Sequence, residues 1–145
     1  MIDPVSLRQA IEHLFFGYRA FTQQPDRILE RRGLGRVHHR ILYFVGRRPG
    51  LSVTELLATL AVSKQAINAP LRLLVETNLI TAASGPADRR VKQLSLSPAG
   101  AALEAELTGV QMRHLRDAFD AAGADSTAGW LAVMDRLAGA MAQHS

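Results

Sequence analysis

The segment SGPADRRVKQLSLSPAG, residues 84–100, combines one acidic residue with two adjacent arginines. Its Gly-Pro pair predicts a turn, and Asp88, Arg89 and Arg90 occupy the tip of that turn. One interpretation is a solvated turn with a local ion pair worth under about 1 kcal/mol. The other is that the arginines bind a polyanion, because a guanidinium group binds phosphate through two parallel hydrogen bonds.

The charge distribution is consistent with a polyanionic partner. The 145-residue chain has a net charge of +4, and 15 of its 17 basic residues are arginine. The first 50 residues carry +5 and residues 96–145 carry −3. Many soluble proteins have an excess of this size, so charge alone does not identify the partner.

Composition and motifs exclude several function classes. The chain contains no cysteine, which excludes disulfides, thiolate metal sites and thiol redox sensing. It has no Gly-rich phosphate loop, H-E-x-x-H motif or nucleophile elbow, so we do not expect an enzyme. No apolar run approaches the ~18 residues of a membrane span, and Asp3 and Pro4 stand where a signal peptide is basic. We expect a cytoplasmic protein that does not bind a membrane.

Apolar periodicity predicts helices over most of the chain. The first helix has an apolar stripe, which Pro25 is predicted to interrupt: Leu7, Ile11, Leu14, Phe15, Tyr18 and Phe21. A second helix is predicted over 36–47, with Val37, Ile41, Phe44 and Val45 facing inward. The last helix carries Trp130, Met134, Leu137 and Met141 on one stripe, beside Leu131 and Val133, after a break over 123–127.

A helix-turn-helix is predicted in the middle of the chain. Ser52 and Glu55 have the spacing of a capping box for a short helix, and Ala61 with Val62 forms the turn. Ser63 caps the next helix, which ends at Asn78. Its predicted inward stripe is Ile67, Leu71, Leu74 and Val75.

The apolar period changes to that of a strand after Asn78. Residues 79–83 and the alternating segment around Leu94 and Leu96 predict a two-stranded hairpin, and Pro98 opens a long helix. That helix has Leu103, Leu107, Val110 and Leu115 on its apolar side. The predicted fold is mainly α with a small β-hairpin wing, a winged helix-turn-helix with N- and C-terminal dimerisation helices. A second copy is expected to cover the stripes of the terminal helices.

Two segments resemble the MarR family of bacterial transcription regulators. ADRRVKQLSLSPAGAALE, residues 87–104, is similar to the family's wing signature of Asp-Arg-Arg, a Leu-x-Leu strand and Ser/Thr-x-x-Gly opening a helix. Residues 51–80 resemble its helix-turn-helix. The resemblance covers almost the whole chain and implies one domain over 1–145, with the winged helix-turn-helix at about 34–97 and dimerisation helices at about 4–31 and 98–144. The sequence departs from the family where Ser84, Gly85 and Pro86 replace a second Asp and a basic residue.

The resemblance implies a homodimer that binds a palindromic operator in double-stranded DNA, usually as a repressor. By matching position, Arg90 enters the minor groove, Asp88 holds the turn, and Arg89 reaches phosphate or shares the groove. Polar residues on the outward face of the second helix have the chemistry that reads the major groove. The predicted DNA-binding residues are Ser63, Lys64, Gln65, Asn68, Arg72, Asp88, Arg89, Arg90 and Lys92.

Pro70 lies inside the presumed recognition helix, where proline removes a hydrogen bond and clashes with the carbonyl of Ala66. One solution is a kink that leaves 63–69 aimed at the groove and 71–77 packed on the core. The other is a helix that restarts with Asn68 as N-cap. The kink is favoured, because it keeps Ile67 and Leu71 on one stripe.

The family resemblance also implies a small-molecule effector, often an aromatic acid. The predicted ligand-binding residues are Phe15, Tyr18, Arg19, His38, His39 and Tyr43, with Arg19 holding a carboxylate. Phe15 and Tyr18 have a competing interpretation as core residues of the first helix. Adjacent histidines point about 100° apart on a helix, so His38 and His39 are not a chelating pair, and no metal or cofactor is expected.

A competing function class is a dimeric protein-interaction module with the same fold but no operator. Pro70 and the altered wing favour this alternative. The residues that separate the two classes are Gln65, Asn68, Arg89 and Arg90, which a protein-binding role does not require.

Overall fold

The computed structural model describes residues 1–142, and the side chains of residues 1–139. Within that range the chain forms six helices and three short strands. The elements are α1 Pro4–Glu30, α2 Arg36–Arg47, β1 Leu51–Ser52, α3 Val53–Leu60, α4 Lys64–Glu76, β2 Ile80–Ser84, β3 Lys92–Leu96, α5 Pro98–Ala122 and α6 Ala124–Ala142. The predicted fold class is confirmed. None of the described helices is long and apolar enough to cross a membrane.

Helix α1 runs from Pro4 to Glu30, where the sequence predicts a helix at about 4–31. Asp3 caps it by accepting a hydrogen bond from the Ser6 amide at 2.9 Å, and the helix continues through Pro25 to Glu30. Pro25, which is predicted to interrupt the apolar stripe, therefore does not interrupt the helix itself. The Pro25 ring is fully buried together with Leu29, and this packing offsets the lost backbone hydrogen bond.

The core of the first unit, Met1–Val110, is formed by apolar residues of every helix from α1 to α5. Helix α2 has the predicted bounds, and Ile41 and Val45 are fully buried, as is Leu42. In α4, Ile67 and Leu74 are fully buried. Val75 was predicted to face inward but is 38% exposed, because it lies about 100° around the helix from Leu74.

The sheet has three antiparallel strands in the order β1-β3-β2, not the two predicted. Strands β2 and β3 form the hairpin, with a register from Ile80 opposite Leu96 to Ser84 opposite Lys92. The added strand pairs Leu51 with Leu94. A two-residue strand has no measurable period, so only its partner reveals it.

The second unit begins at Gln111 and contains the end of α5 and all of α6. Gly123 has a φ of +99° and ends α5, and α6 begins at the next residue. The predicted break over 123–127 is thus too long, because Asp125 to Thr127 form the first turn of α6, where polar side chains are favourable. The Phe119 and Trp130 rings meet edge to face, 5.3 Å between centroids.

Both terminal helices expose large apolar side chains. On α1 these are Val5, Leu7, Ile11, Leu14, Phe15, Phe16 and Tyr18, and on α6 they are Trp130, Leu131, Val133 and Leu137. Exposed apolar surface of this extent on a folded chain marks an interaction site. The side chain of Met141, which is predicted on the last apolar stripe, lies outside the described part of the structure. Residues 143 and 144 of the predicted dimerisation helix also lie outside it.

Candidate nucleic-acid interface

Local capping places α3 and α4 in a helix-turn-helix arrangement. Ser52 and Glu55 form the predicted capping box, each accepting the other's backbone N–H at 3.1 Å. Ala61 ends α3 in the left-handed conformation, with a φ of 53°. Ser63 then caps α4 by accepting from the Ala66 amide at 3.2 Å. These caps fix the turn without any residue from outside the motif.

Helix α4 has one buried face and one polar face. Ile67 and Leu74 bury the first against the core, and α2 packs on the same helix. The predicted polar residues Lys64, Gln65, Asn68 and Arg72 are all exposed. Their amide and guanidinium groups match the edges of adenine and guanine in the major groove. The predicted N-cap Ser63 is also exposed, at the helix end that favours a phosphate.

The helix is continuous through Pro70. The alternative in which a new helix restarts at Asn68 is therefore wrong, since Asn68 lies within the α4 helix. Pro70 is partly buried, one turn after the Ala66 carbonyl whose hydrogen bond it cannot make.

The wing tip is held by one carboxylate. Asp88 Oδ1 accepts from the Arg90 amide at 2.9 Å, and the Arg90 guanidinium pairs with both Asp88 oxygens at 3.2 Å. These hydrogen bonds hold the pKa of the Asp88 carboxyl below its usual value. The Arg90 side chain is nevertheless 91% exposed. The hydrogen bond from the Arg90 amide thus fixes the Asp88 carboxylate to the wing backbone, while the Arg90 guanidinium remains exposed to solvent.

The side chains of two other basic residues of the wing differ in their contacts. Lys92 Nζ donates to Ser84 Oγ across the hairpin at 3.3 Å. Arg89 is exposed, and among the described residues its side chain makes no ion pair or hydrogen bond. The wing therefore presents one oriented arginine, one unrestrained arginine and one lysine tied to its strand.

Comparison with known proteins identifies the family of this winged helix. Residues 32–91 match the model of the MarR family. Over 131 residues, 90% of this chain and 79% of the relative, the sequence is 44% identical to the HTH-type transcriptional regulator PetP of Rhodobacter capsulatus. The chain belongs to the MarR family. It is a transcriptional regulator, and the expectation that it is not an enzyme is confirmed, since MarR-family proteins are DNA-binding regulators.

Solved structures share the fold of this MarR-family chain. The structure of Streptococcus pneumoniae FabT in complex with DNA has a TM-score of 0.82 and 14% identity, covering 96% of this chain and 99% of that one. Staphylococcus aureus MarR in complex with salicylate and kanamycin has a TM-score of 0.78 and 21% identity, covering 98% and 96%. At such identities the likeness concerns the fold alone.

The structure places the six predicted ligand-binding residues of the MarR-family chain in different environments. Phe15, Tyr18 and Arg19 lie on the exposed part of α1, His38 and Tyr43 are partly buried, and His39 is buried. His38 Nδ1 accepts from the Gly35 amide at 2.9 Å and so caps α2. Among the described residues, no hydrogen bond or ring contact joins one of the six to another.

Sequence reasoning missed the partners of Tyr18. Arg40 donates to the Tyr18 hydroxyl at 2.8 Å, and the Arg36 guanidinium lies 5.6 Å from the centre of the Tyr18 ring. Arg36 also binds both oxygens of Asp26. The i, i+4 spacing of Arg36 and Arg40 on α2 puts them on one side of that helix, but it does not reveal their partners on α1. No cluster of three or more potential metal ligands occurs in the described part of the chain.

Replacing Pro70 with alanine is expected to raise the free energy of unfolding by about 1–2 kcal/mol. Alanine restores the hydrogen bond to the Ala66 carbonyl, and the gain exceeds the entropy that proline removes from the unfolded chain. The measurement is urea denaturation. The control is Pro98→Ala, because Pro98 is the first residue of α5 and no helical hydrogen bond is recovered there. Equal effects of the two substitutions would contradict the prediction.

Proposed function

We propose that this regulator is a homodimer that represses transcription by binding a palindromic operator in double-stranded DNA. The observation that carries the proposal is the wing tip, where Asp88 orients an arginine whose side chain is 91% exposed. A narrow minor groove concentrates negative potential and attracts such an arginine without base identity. A protein-binding wing does not require this arrangement.

The polar face of α4 supplies the sequence-reading part of the proposal. Gln65 and Asn68 are each suited to form two hydrogen bonds with N6 and N7 on the major-groove edge of adenine, and Arg72 is suited to guanine or phosphate. Ser63 is the N-cap of α4 and Lys64 is its first residue, at the helix end where backbone amides favour phosphate. The recognition helix and the wing would then contact adjacent major and minor grooves of one half-site.

The homodimer is supported by the apolar side chains that the terminal helices expose. Along α1, Leu7 is 51% exposed and Ile11 67%. A second copy that covers this face and the apolar face of α6 would remove these side chains from water, at about 25 cal/mol per Å² of apolar area. A two-fold dimer presents two winged domains, which predicts half-sites about one DNA turn, ~10 base pairs, apart.

The experiment that tests DNA recognition is selection from a pool of random duplexes at near-physiological salt. The expected result is a palindrome with half-sites about one turn apart. Binding that depends on salt but not on sequence, or no binding at all, would contradict the proposal and favour the protein-interaction module. With the selected duplex placed upstream of a reporter gene, lower reporter expression in the presence of the protein supports repression, and higher expression indicates activation.

The dimer has its own test. Ile11→Glu puts a carboxylate at the centre of the exposed α1 face, and we expect it to convert a dimer to monomers because an unpaired charge is costly in an apolar interface. Sedimentation equilibrium measures the change. Gln9→Glu is the matched control, since Gln9 lies on the opposite side of the same helix. A wild-type monomer, or an unchanged dimer in Ile11→Glu, would contradict the proposed interface.

We also propose a small aromatic acid as effector, and one specific contact favours it. Arg40 donates a hydrogen bond to the phenol oxygen of Tyr18, so an aromatic ring and a cation lie together. Arg19 remains the proposed carboxylate-binding residue. Salicylate, one of the two compounds in the S. aureus MarR structure, is the first probe: it should release the selected duplex, and should do so less in Arg40→Gln.

A further inference from the structure

The end of helix α4 is closed by backbone hydrogen bonds of its own. Asn78 lies just beyond the helix in the left-handed conformation, with a φ of 61°, and its amide donates to the Val75 carbonyl at 3.1 Å. The Leu79 amide donates to the Leu74 carbonyl at 2.9 Å, and both leucines are buried. This is a Schellman motif, in which the chain folds back on the last turn of the helix. The positions of the Asn78 and Leu79 carbonyls are therefore fixed relative to α4.

One buried hydroxyl group joins this turn to the start of α5. Ser97 Oγ donates to the Asn78 carbonyl at 2.6 Å and lies 3.2 Å from the Leu79 carbonyl. A hydroxyl has one proton, and the shorter distance assigns it to Asn78. The same oxygen accepts from the Gly100 amide at 3.0 Å, in the first turn of α5. Ser97 is only 4% exposed, so water does not compete for these bonds.

The backbones of the two elements are also in direct contact. The Ser97 amide donates to the Leu79 carbonyl at 3.0 Å, and a Cβ added to Gly100 would overlap that carbonyl oxygen. Gly100 and Leu79 are both buried. Backbone atoms cannot rotate away as a side chain can, and a close-packed interior leaves no room for sliding. The first turn of α5 therefore has one position against the end of α4.

Removal of the Ser97 hydroxyl would leave the buried Gly100 amide without an acceptor. A buried backbone N–H without a partner is costly, and water is the partner that can replace the hydroxyl. Water cannot approach an alanine Cβ as closely as the serine oxygen, which is bonded to that carbon. The turn after α4 and the first turn of α5 would therefore have to separate, and the direction of α4 relative to α5 would change.

We propose that Ser97 is a positioning residue for DNA recognition, because its hydroxyl sets the direction of α4 against α5. The polar face of α4 contains Gln65, Asn68 and Arg72, and hydrogen bonds to base edges depend on angle as well as distance. Attraction to phosphate is less directional and carries no sequence information. Loss of the hydroxyl should therefore reduce selectivity more than it reduces binding to an arbitrary duplex. The DNA part of this proposal rests on the proposed function.

The effect on α4 is tested without DNA. Residual dipolar couplings of backbone amides in the full-length protein give the direction of α4 relative to the first turns of α5. We expect that direction to change in Ser97→Ala and to stay as in the wild type in Ser97→Thr, which retains the hydroxyl. An unchanged direction in Ser97→Ala, or the same change in both variants, would overturn the proposal.

Selectivity is the ratio of the Kd for a scrambled duplex to the Kd for the selected duplex, measured at a temperature where circular dichroism shows each variant fully folded. The ratio should fall about tenfold in Ser97→Ala, which is within the discrimination that one base contact provides, and should be retained in Ser97→Thr. Thr22→Val is the matched control, because the buried Thr22 hydroxyl bonds only to carbonyls of α1, those of Tyr18 and Arg19. An unchanged ratio in Ser97→Ala, or an equal fall in Thr22→Val, would overturn the proposal.

Ser97→Cys replaces Ser97→Ala if the alanine variant does not fold, since a thiol donates and accepts more weakly than a hydroxyl. The same outcomes then support or overturn the proposal. If no duplex is selected, the proposed function fails, while the dipolar couplings still decide whether Ser97 positions α4. If a duplex is selected and the couplings change without a change in the ratio, the proposed function stands and the role of Ser97 in recognition is overturned.

Discussion

Replacing Arg90 with alanine is expected to weaken binding of the selected duplex by about ten- to one-hundred-fold, or about 1–3 kcal/mol. The Arg90 guanidinium is 91% exposed at the wing tip, so the folded chain loses little when it is removed. The lost free energy is that of DNA binding, because the Arg90 cation would occupy the minor groove in the complex. The slope of log K against log salt should decrease by about 0.9, because one phosphate neutralisation is lost. Fluorescence anisotropy at four salt concentrations measures both quantities.

Substitution of Asp88 distinguishes the effect of positioning Arg90 from the effect of net charge on DNA binding. Asp88→Ala removes a negative charge next to DNA, so electrostatics alone predicts tighter binding. The same change removes the acceptor of the Arg90 amide and both partners of its guanidinium, so positioning predicts weaker binding. We expect weaker binding, and Asp88→Asn should recover part of the affinity because its amide oxygen can still accept from the Arg90 amide.

The matched control for Arg90 is Arg27→Ala. Arg27 is an exposed arginine in the last turn of α1, outside the helix-turn-helix and the wing. The same net charge is lost, so any general effect of charge appears in both variants. A salt slope that is unchanged in Arg90→Ala, or reduced equally in Arg27→Ala, would count against minor-groove contact.

Local interactions explain which parts of the molecule could be predicted from the sequence. The caps at Ser52 and Ser63 join residues three positions apart, so their signals lie in one short window. The bounds of α2 and the exposed face of α4 follow from helical periodicity in the same way. The Asp88–Arg90 pair is equally local, and its predicted role in DNA binding came from the family resemblance.

Long-range packing decided what the sequence could not predict. Pro25 is tolerated because its ring is buried, and β1 exists because β3 offers it a partner. The salt bridge from Arg36 to Asp26 and the contact of His39 with Thr108 each join two helices. Their spacings of 10 and 69 residues carry no periodic signal. The candidate ligand residues were chosen by type, and type alone does not place side chains in one site.

Replacing Gly100 with alanine is expected to lower the free energy of unfolding by about 3 kcal/mol. In an ordinary helix this change stabilises by about 1 kcal/mol, because glycine loses more entropy on folding. Here an added Cβ would overlap the Leu79 carbonyl oxygen and lie 2.9 Å from the carbonyl carbon. These are backbone atoms and cannot rotate away, so α5 must move.

Movement of α5 would disrupt the hydrogen bonds at its first turn. Ser97 Oγ accepts from the Gly100 amide at 3.0 Å and donates to the Asn78 carbonyl at 2.6 Å. The Ser97 amide donates to the Leu79 carbonyl at 3.0 Å. Overpacking costs about 1–3 kcal/mol, and each buried hydrogen bond that is lost adds about 1 kcal/mol. The sum exceeds the gain in helix propensity, which sets the sign of the prediction.

Gly46→Ala provides the comparison, because that Cβ would meet the end of a flexible side chain. The nearest atom is Leu96 Cδ1 at 2.9 Å, which a rotamer change can move. We expect a change under about 1 kcal/mol, since the gain in helix propensity offsets the strain. Urea denaturation of both variants decides the matter, and equal losses would contradict the steric argument. A large loss at Gly100 alone would show that the close backbone contact with Leu79 fixes the start of α5 to the base of the wing.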